Sequence, residues 1–208
     1  MALCSLARVA YSDVKHNFII HYLIAAAVVF TAPVFFSYAE LNERQAAQPL
    51  EVIISLIGCI LLTPIFMPEQ NESIRDVIRS KKTAYYFICL IRLILSFAVL
   101  AVLIGCSVLY MKHCDSKVTF RLFSGTLSSA VLLGAIGFFA AGVADNVIIG
   151  YMASLFYYMI NFTLKEKMGV FYLFSMMQGS FEEKKWLIML SLVLISITFG
   201  YLKLIKKQ

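Results

Sequence analysis

The sequence predicts an all-α integral membrane protein with six transmembrane helices, and three observations carry that prediction. The 208 residues are 61% hydrophobic and only 14% charged, whereas a water-exposed surface needs roughly a quarter of its residues charged. Long apolar runs recur at 18–38, 51–67, 84–111, 122–142, 146–163 and 186–205, close to the roughly 20 residues a spanning helix requires. The basic residues sit at the ends of these runs, where they anchor to anionic headgroups. They do not form the basic face with interleaved aromatics that a nucleic-acid partner would need, so nucleic acid is excluded as a partner. The whole chain, 1–208, reads as a single transmembrane domain in contact with the lipid bilayer.

Taken in order, residues 1–17 place Leu3, Leu6, Ala7, Ala10 and Val14 on one helical face, with Arg8, Ser12, Asp13, Lys15 and His16 around the rest. This pattern predicts an interfacial helix, or else a plain extension of the first span. The polar stretch is too long for a signal peptide and lacks a small-residue cleavage site, so the first span is expected to be permanent. A short loop, 39–49, follows, with Pro49 just before the expected second span.

The third span begins after Thr83, and Arg92 lies nine residues further on, about 13 Å along a helix. A charge at that depth must snorkel, pair or face water. The fourth span is rich in small residues, and the spacings Ala130-x-x-x-Gly134 and Gly137-x-x-x-Ala141 let another helix approach closely. A very short link at Asp145-Asn146 makes the fourth and fifth spans an antiparallel hairpin. The segment 164–185 has an apolar portion, 168–178, too short to cross and bracketed by charges, which predicts an outer re-entrant or interfacial segment.

Orientation follows from the first two loops. The first carries Arg44 alone, and the second carries Arg75, Arg79, Lys81 and Lys82, which puts the second inside and both termini in the cytoplasm of a multi-pass plasma-membrane protein. Over the whole chain the contrast is small, nine basic residues inside against eight outside.

Several chemistries are missing from the pattern. The five cysteines form no C-x-x-C pair, and no metal-binding spacing occurs, so no metal site is expected. Glu51 and Asp145 stand at span ends, which disfavours an ion-coupled carrier with a midplane carboxylate. No G-x-x-x-x-G-K-[ST] occurs, so the chain has no ATP cradle and binds no cofactor of its own. Energy for active transport would have to come from another polypeptide.

The remaining feature is the polar island after the second run, PEQNESIRDVIRSKKTAYYFICLIR. Ile74, Val77 and Ile78 recur at helical spacing, Glu72, Arg75, Asp76 and Arg79 take the other face, and Ser73-x-x-Asp76 starts it. A short amphipathic helix between two spans is the prediction; an ordinary solvated, positively charged loop is the plainer alternative.

In layout the chain resembles the type-2 ABC exporter permeases, the transmembrane subunits of ABC transporters, in short bacterial form. Those proteins carry a surface helix, six spans, a helical loop after the second, and a re-entrant element before the last. In them an acidic residue after the second span precedes a helix, a Ser-Lys-like turn, and a third span with a basic residue near its start. The matching positions here are Glu69 and Glu72, helix 73–79, Ser80-Lys81-Lys82, and Arg92.

The resemblance implies that 68–83 is a cytoplasmic coupling helix touching an ATP-binding cassette ATPase subunit. Glu69, Glu72, Ile74, Arg75, Ile78 and Arg79 would transmit, with Arg8, Tyr11 and Lys15 beside them. It further implies a homodimer or a heterodimer with a similar permease, ATP and Mg held on the partner, no enzyme activity in this chain, and a pathway built from spans one, two and five. The expected cargo is an amphipathic or hydrophobic peptide, lipid-linked molecule or drug. The alternatives are a six-span substrate-binding subunit of a vitamin-type importer and a non-transporting adaptor or immunity protein.

Overall fold

The computed structural model describes residues 17–70 and 85–205, and among these every regular element is helical. The expected interfacial helix, with Arg8, Tyr11 and Lys15, lies outside the described residues. So do Glu72, Ile74, Arg75, Ile78 and Arg79 of the 68–83 loop. We number the α-helices α1 Ile19–Phe35, α2 Glu43–Val52, α3 Ile57–Leu62, α4 Tyr85–His113, α5 Phe120–Ala144, α6 Val147–Leu164 and α7 Glu183–Ile205. Short 3-10 stretches at Ile54–Leu56 and Thr63–Gln70 continue α2 and α3 into one column, and two more, Lys165–Phe171 and Ser175–Gln178, lie between α6 and α7.

Among the described residues five columns are long and apolar enough to cross a membrane: Glu43–Pro68, Phe87–His113, Phe120–Ala144, Val147–Leu164 and Glu183–Lys203. The first expected span, 18–38, ends earlier in the structure. Its helix α1, Ile19–Phe35, continues a π-helical turn at residues 17–18. It stops because Phe36 turns extended, at φ −126° and ψ 124°.

The second column corrects two boundaries. It starts at Glu43 rather than at 51, because the Gln45 side chain accepts a hydrogen bond from the Asn42 amide at 3.1 Å, which satisfies a donor at the helix start. Pro49 is therefore inside α2, not ahead of it. Its fixed φ suits a helix, but its missing N–H and ring loosen the backbone there. The α-helix gives way to 3-10 at Ile54, three residues after the Ser55 hydroxyl's acceptor, the Glu51 carbonyl.

Helix α5 is the axis of the bundle, with α2–α3, α6 and α7 packed around it. Its small residues make this contact tight. A Cβ on Gly134 would stand 2.6 Å from the Gly58 carbonyl oxygen and 2.8 Å from the Leu62 Cβ, and one on Gly150 would stand 2.6 Å from the Gly137 carbonyl oxygen. Ala130 and Ala141 are fully buried on the same face. Phe66 and Phe138 stack with centroids 4.7 Å apart, and Phe199 joins them at 5.8 Å from Phe138.

Burial divides the columns into two kinds. Glu43–Pro68 and Phe120–Ala144 are 72% and 67% buried over their apolar windows, whereas Val147–Leu164 and Glu183–Lys203 are 28% and 22% buried. The first pair forms the core, and the second presents apolar surface outward. At the Asn42 end, loops 36–42 and 114–119 are tied through Ser116, which donates to the Tyr38 carbonyl at 2.6 Å and accepts from the Leu41 amide at 3.1 Å. At the opposite end α5 turns into α6 over two residues. Asp145 is left-handed at φ 50°, and the Asn146 side chain accepts from the Ile148 amide at 2.8 Å.

We expect Gly134→Leu to lower the unfolding free energy by about 3 kcal/mol, the scale of overpacking against backbone. Gly105→Ala, whose new methyl would reach only the Phe123 ring at 3.9 Å, should be neutral or slightly stabilising. Thermal unfolding of both variants in mild detergent checks the contrast.

Candidate functional site

The structure places a charged pair where the sequence predicts only span-end residues. Glu51 is the ninth residue of the Glu43–Pro68 column, about 12 Å from its start, and it is fully buried. Lys184, which the sequence places among the solvated outer cations, is 4% exposed. Both expectations are corrected for the same reason: each charge is drawn inward by the other. Lys184 Nζ donates to Glu51 Oε1 at 2.5 Å, to Ser129 Oγ at 2.7 Å and to the Leu173 carbonyl at 2.5 Å. An ammonium has three hydrogens, and these acceptors use all of them.

The carboxylate is equally engaged. Glu51 Oε1 also accepts from the Met176 amide at 3.1 Å, and Oε2 accepts from the Met177 amide at 3.0 Å. These amides belong to the 3-10 turn Ser175–Gln178, whose opening N–H groups have no partner within the turn. The pair thus fastens segment 165–182 to α2, α5 and α7 together.

Helix α6 adds two further ties. Asn161 accepts from the Leu173 amide at 2.8 Å and donates to the Tyr157 carbonyl at 2.9 Å. Tyr157 donates to the Phe171 carbonyl at 2.7 Å. On the α2 side, Tyr158 reaches the Val52 carbonyl at 2.9 Å, where the helix changes to 3-10. Between them Leu173, Phe174 and Met176 are buried, and Phe174 packs edge-on to Tyr158, Phe162 and Tyr172.

Chemically this is a closed site. Ser129 stands beside Lys184 as a nucleophile stands beside a base, but its hydroxyl also lies 3.2 Å from the Leu173 carbonyl and is fully buried. The lysine beside it has no hydrogen-bonding capacity left over. The arrangement fixes backbone; it does not activate a nucleophile. Among the described residues no group of three or more His, Cys, Asp or Glu side chains could hold a metal ion.

Arg92 lies at the other end of the bundle, the eighth residue of α4, and is 4% exposed rather than extended to the surface. Its Nη1 donates to the Ile65 carbonyl at 3.2 Å. The sequence explains why that carbonyl is available. In the 3-10 stretch Thr63–Gln70 the Ile65 oxygen would bond the amide three residues on, and that residue is Pro68, which has none. The guanidinium carbon also sits 5.9 Å from the Phe18 ring centroid, within cation–π range.

Arg92 therefore clips α4 to the end of the second column. Glu69 is the one predicted transmission residue among the described residues, and its backbone belongs to the same 3-10 stretch. Ala130, Gly134, Gly137 and Ala141 gather along α5 as helix-packing positions, far in sequence from Arg92. Glu51, Ser129, Asn161 and Lys184 were not among the residues that the sequence singles out. Their only signal was an acid at the first residue of one apolar run and a base two residues ahead of another.

Comparison with known proteins adds no relative: no protein-family model, curated protein or solved structure matches the chain. What the fold and the site define together is an all-helical, membrane-type bundle. One end is capped by a folded-back segment, and the other is clipped by an arginine.

Lys184→Met leaves a buried carboxylate without its counter-ion and should destabilise the protein by about 3–5 kcal/mol. Adding Glu51→Gln should recover at least half of that loss. The reversed pair, Glu51→Lys with Lys184→Glu, should not recover it, because the Met176 and Met177 amides would then face a donor. Thermal midpoints in detergent decide this, and full recovery by the reversed pair would show that the amides do not matter.

Arg92→Met should cost about 1–3 kcal/mol by orphaning the Ile65 carbonyl. Pro68→Ala in the same chain restores an amide at the 3-10 position and should return part of that stability. A double mutant no more stable than Arg92→Met would discount the explanation from proline.

Proposed function

We propose that the chain is the membrane permease subunit of an ATP-driven exporter, energised by a separate ATP-binding cassette ATPase that binds ATP and Mg. The observation that carries this reading is the Arg92 clip. Arg92 ties α4 to the Ile65 carbonyl, so the two columns that flank 71–84 in the sequence are joined to each other. A partner that displaces the loop would then move both columns as one body instead of bending a free tether. This is the mechanical property a coupling element needs.

The opposite end suits the outer face of such a permease. Segment 165–182 closes it with its buried backbone satisfied by Glu51, Ser129, Asn161 and Lys184, which non-helical backbone at membrane depth requires. Burial of Lys184 also sharpens the charge asymmetry. Removing it from the eight basic residues of that end leaves seven, against nine at the loop end, in favour of the loop end being cytoplasmic.

A second copy or a similar permease completes the pathway. Helices α1 and α6 keep broad apolar faces, with Phe30, Val34, Met152, Phe156 and Met159 each at least 60% exposed. The second column, 72% buried, stands behind them as support. In this assembly ATPase closure rocks two rigid halves and opens an apolar path between the α1 and α6 faces for an amphipathic or hydrophobic cargo.

The test is co-purification from native membranes in mild detergent, with ATP hydrolysis measured on the eluate. Wild type should bring down an ATPase subunit in near-equal amount. Ile74→Asp with Ile78→Asp should reduce its recovery at least tenfold while the thermal midpoint of the chain stays within about 2 °C. A chain that purifies alone and inactive would turn the reading toward a substrate-binding subunit or an adaptor.

A further inference from the structure

Gly58, Gly134, Gly137 and Gly150 each sit where a Cβ would strike a neighbouring helix, but a Cβ on Gly200 would meet nothing within 4 Å among the described residues. Glycine at this position therefore leaves the surface of α7 open rather than serving a close approach. Leu90 of α4 and Phe199, Gly200 and Lys203 of α7 line a groove of about 290 Å³. Phe199 and Lys203 stand one turn apart on α7 at i and i+4. Lys203 lies in the last turn of that helix.

We propose that this groove binds one anionic phospholipid, with an acyl chain over Gly200 between Leu90 and Phe199 and the phosphate on Lys203. The walls are apolar and the exposed cation stands at the level of a helix end, which is the order of chemistry along a phospholipid from tail to headgroup. An apolar helix of a partner laid in the same groove would cover the Lys203 ammonium without giving it a counter-charge. A phospholipid brings its own.

The site does not rest on the exporter reading, and its test is independent of any ATPase. The full chain, purified in mild detergent, is exchanged into mixed micelles of phosphatidylglycerol or phosphatidylcholine with identical acyl chains, and retained lipid is counted by native mass spectrometry. Wild type should retain phosphatidylglycerol about fivefold over phosphatidylcholine, the scale of one lysine near an anionic headgroup. Lys203→Gln should abolish that preference while the chain still retains lipid. Gly200→Leu should lose retained lipid of both kinds, and Leu90→Trp should do the same from the other wall. Each variant is first checked for an unchanged thermal midpoint in lipid-free detergent.

A wild type without preference, or a preference that survives Lys203→Gln, would overturn the proposal. So would a Gly200→Leu chain that keeps its lipid but loses self-association, since the groove would then be a helix seat.

Discussion

The contact between Glu51 and Lys184 is the constraint on which the rest of the arrangement depends. Two opposite charges 133 residues apart in sequence meet inside the bundle at 2.5 Å, and removing them from water is unfavourable unless every remaining donor and acceptor is satisfied. Here the remaining partners are a hydroxyl on α5, a carbonyl in the folded-back segment and two amides of a 3-10 turn. Satisfying the pair therefore fixes four separate parts of the chain at once. The folded-back segment is too irregular to satisfy its own backbone. It stays inside the bundle because the pair, with Asn161 and Tyr157, supplies what a helix would have supplied internally.

That constraint can hold only because α5 lets its neighbours come close. With glycine at 134 and 137, and Gly58 and Gly150 facing them, backbones approach within the space of a missing methyl, and van der Waals packing replaces the hydrophobic drive that lipid does not provide. The result is a stiff centre of α2–α3 and α5. Helices α1 and α6 are left with their large apolar side chains outward.

Arg92 illustrates how a proline shapes a distant contact. Pro68 removes one amide, the Ile65 carbonyl is left without its helical partner, and an arginine on the next column takes the vacancy at 3.2 Å. Both residues were visible in the sequence, Pro68 as the first residue of the polar island and Arg92 as a charge at depth that had to snorkel, pair or face water. Their connection was not, because it depends on the 3-10 register of residues 63–70. The same is true of Glu51. Its position looked like a span end because the apolar run begins beside it, whereas Asn42 and Gln45 start the helix a turn and more earlier.

The sequence by itself determined the helical, membrane-type character of the chain, the short turn at Asp145-Asn146, the close-packing face of α5 and the break between α6 and α7. Each is a local property, set by apolar run length, small-residue spacing or turn chemistry within a few residues. Only the tertiary structure decided which charges are buried, which carbonyl Arg92 bonds, and what holds 165–182 in place. Those outcomes are pairings between remote segments, and a buried charge is tolerated or excluded according to a partner that no local window contains.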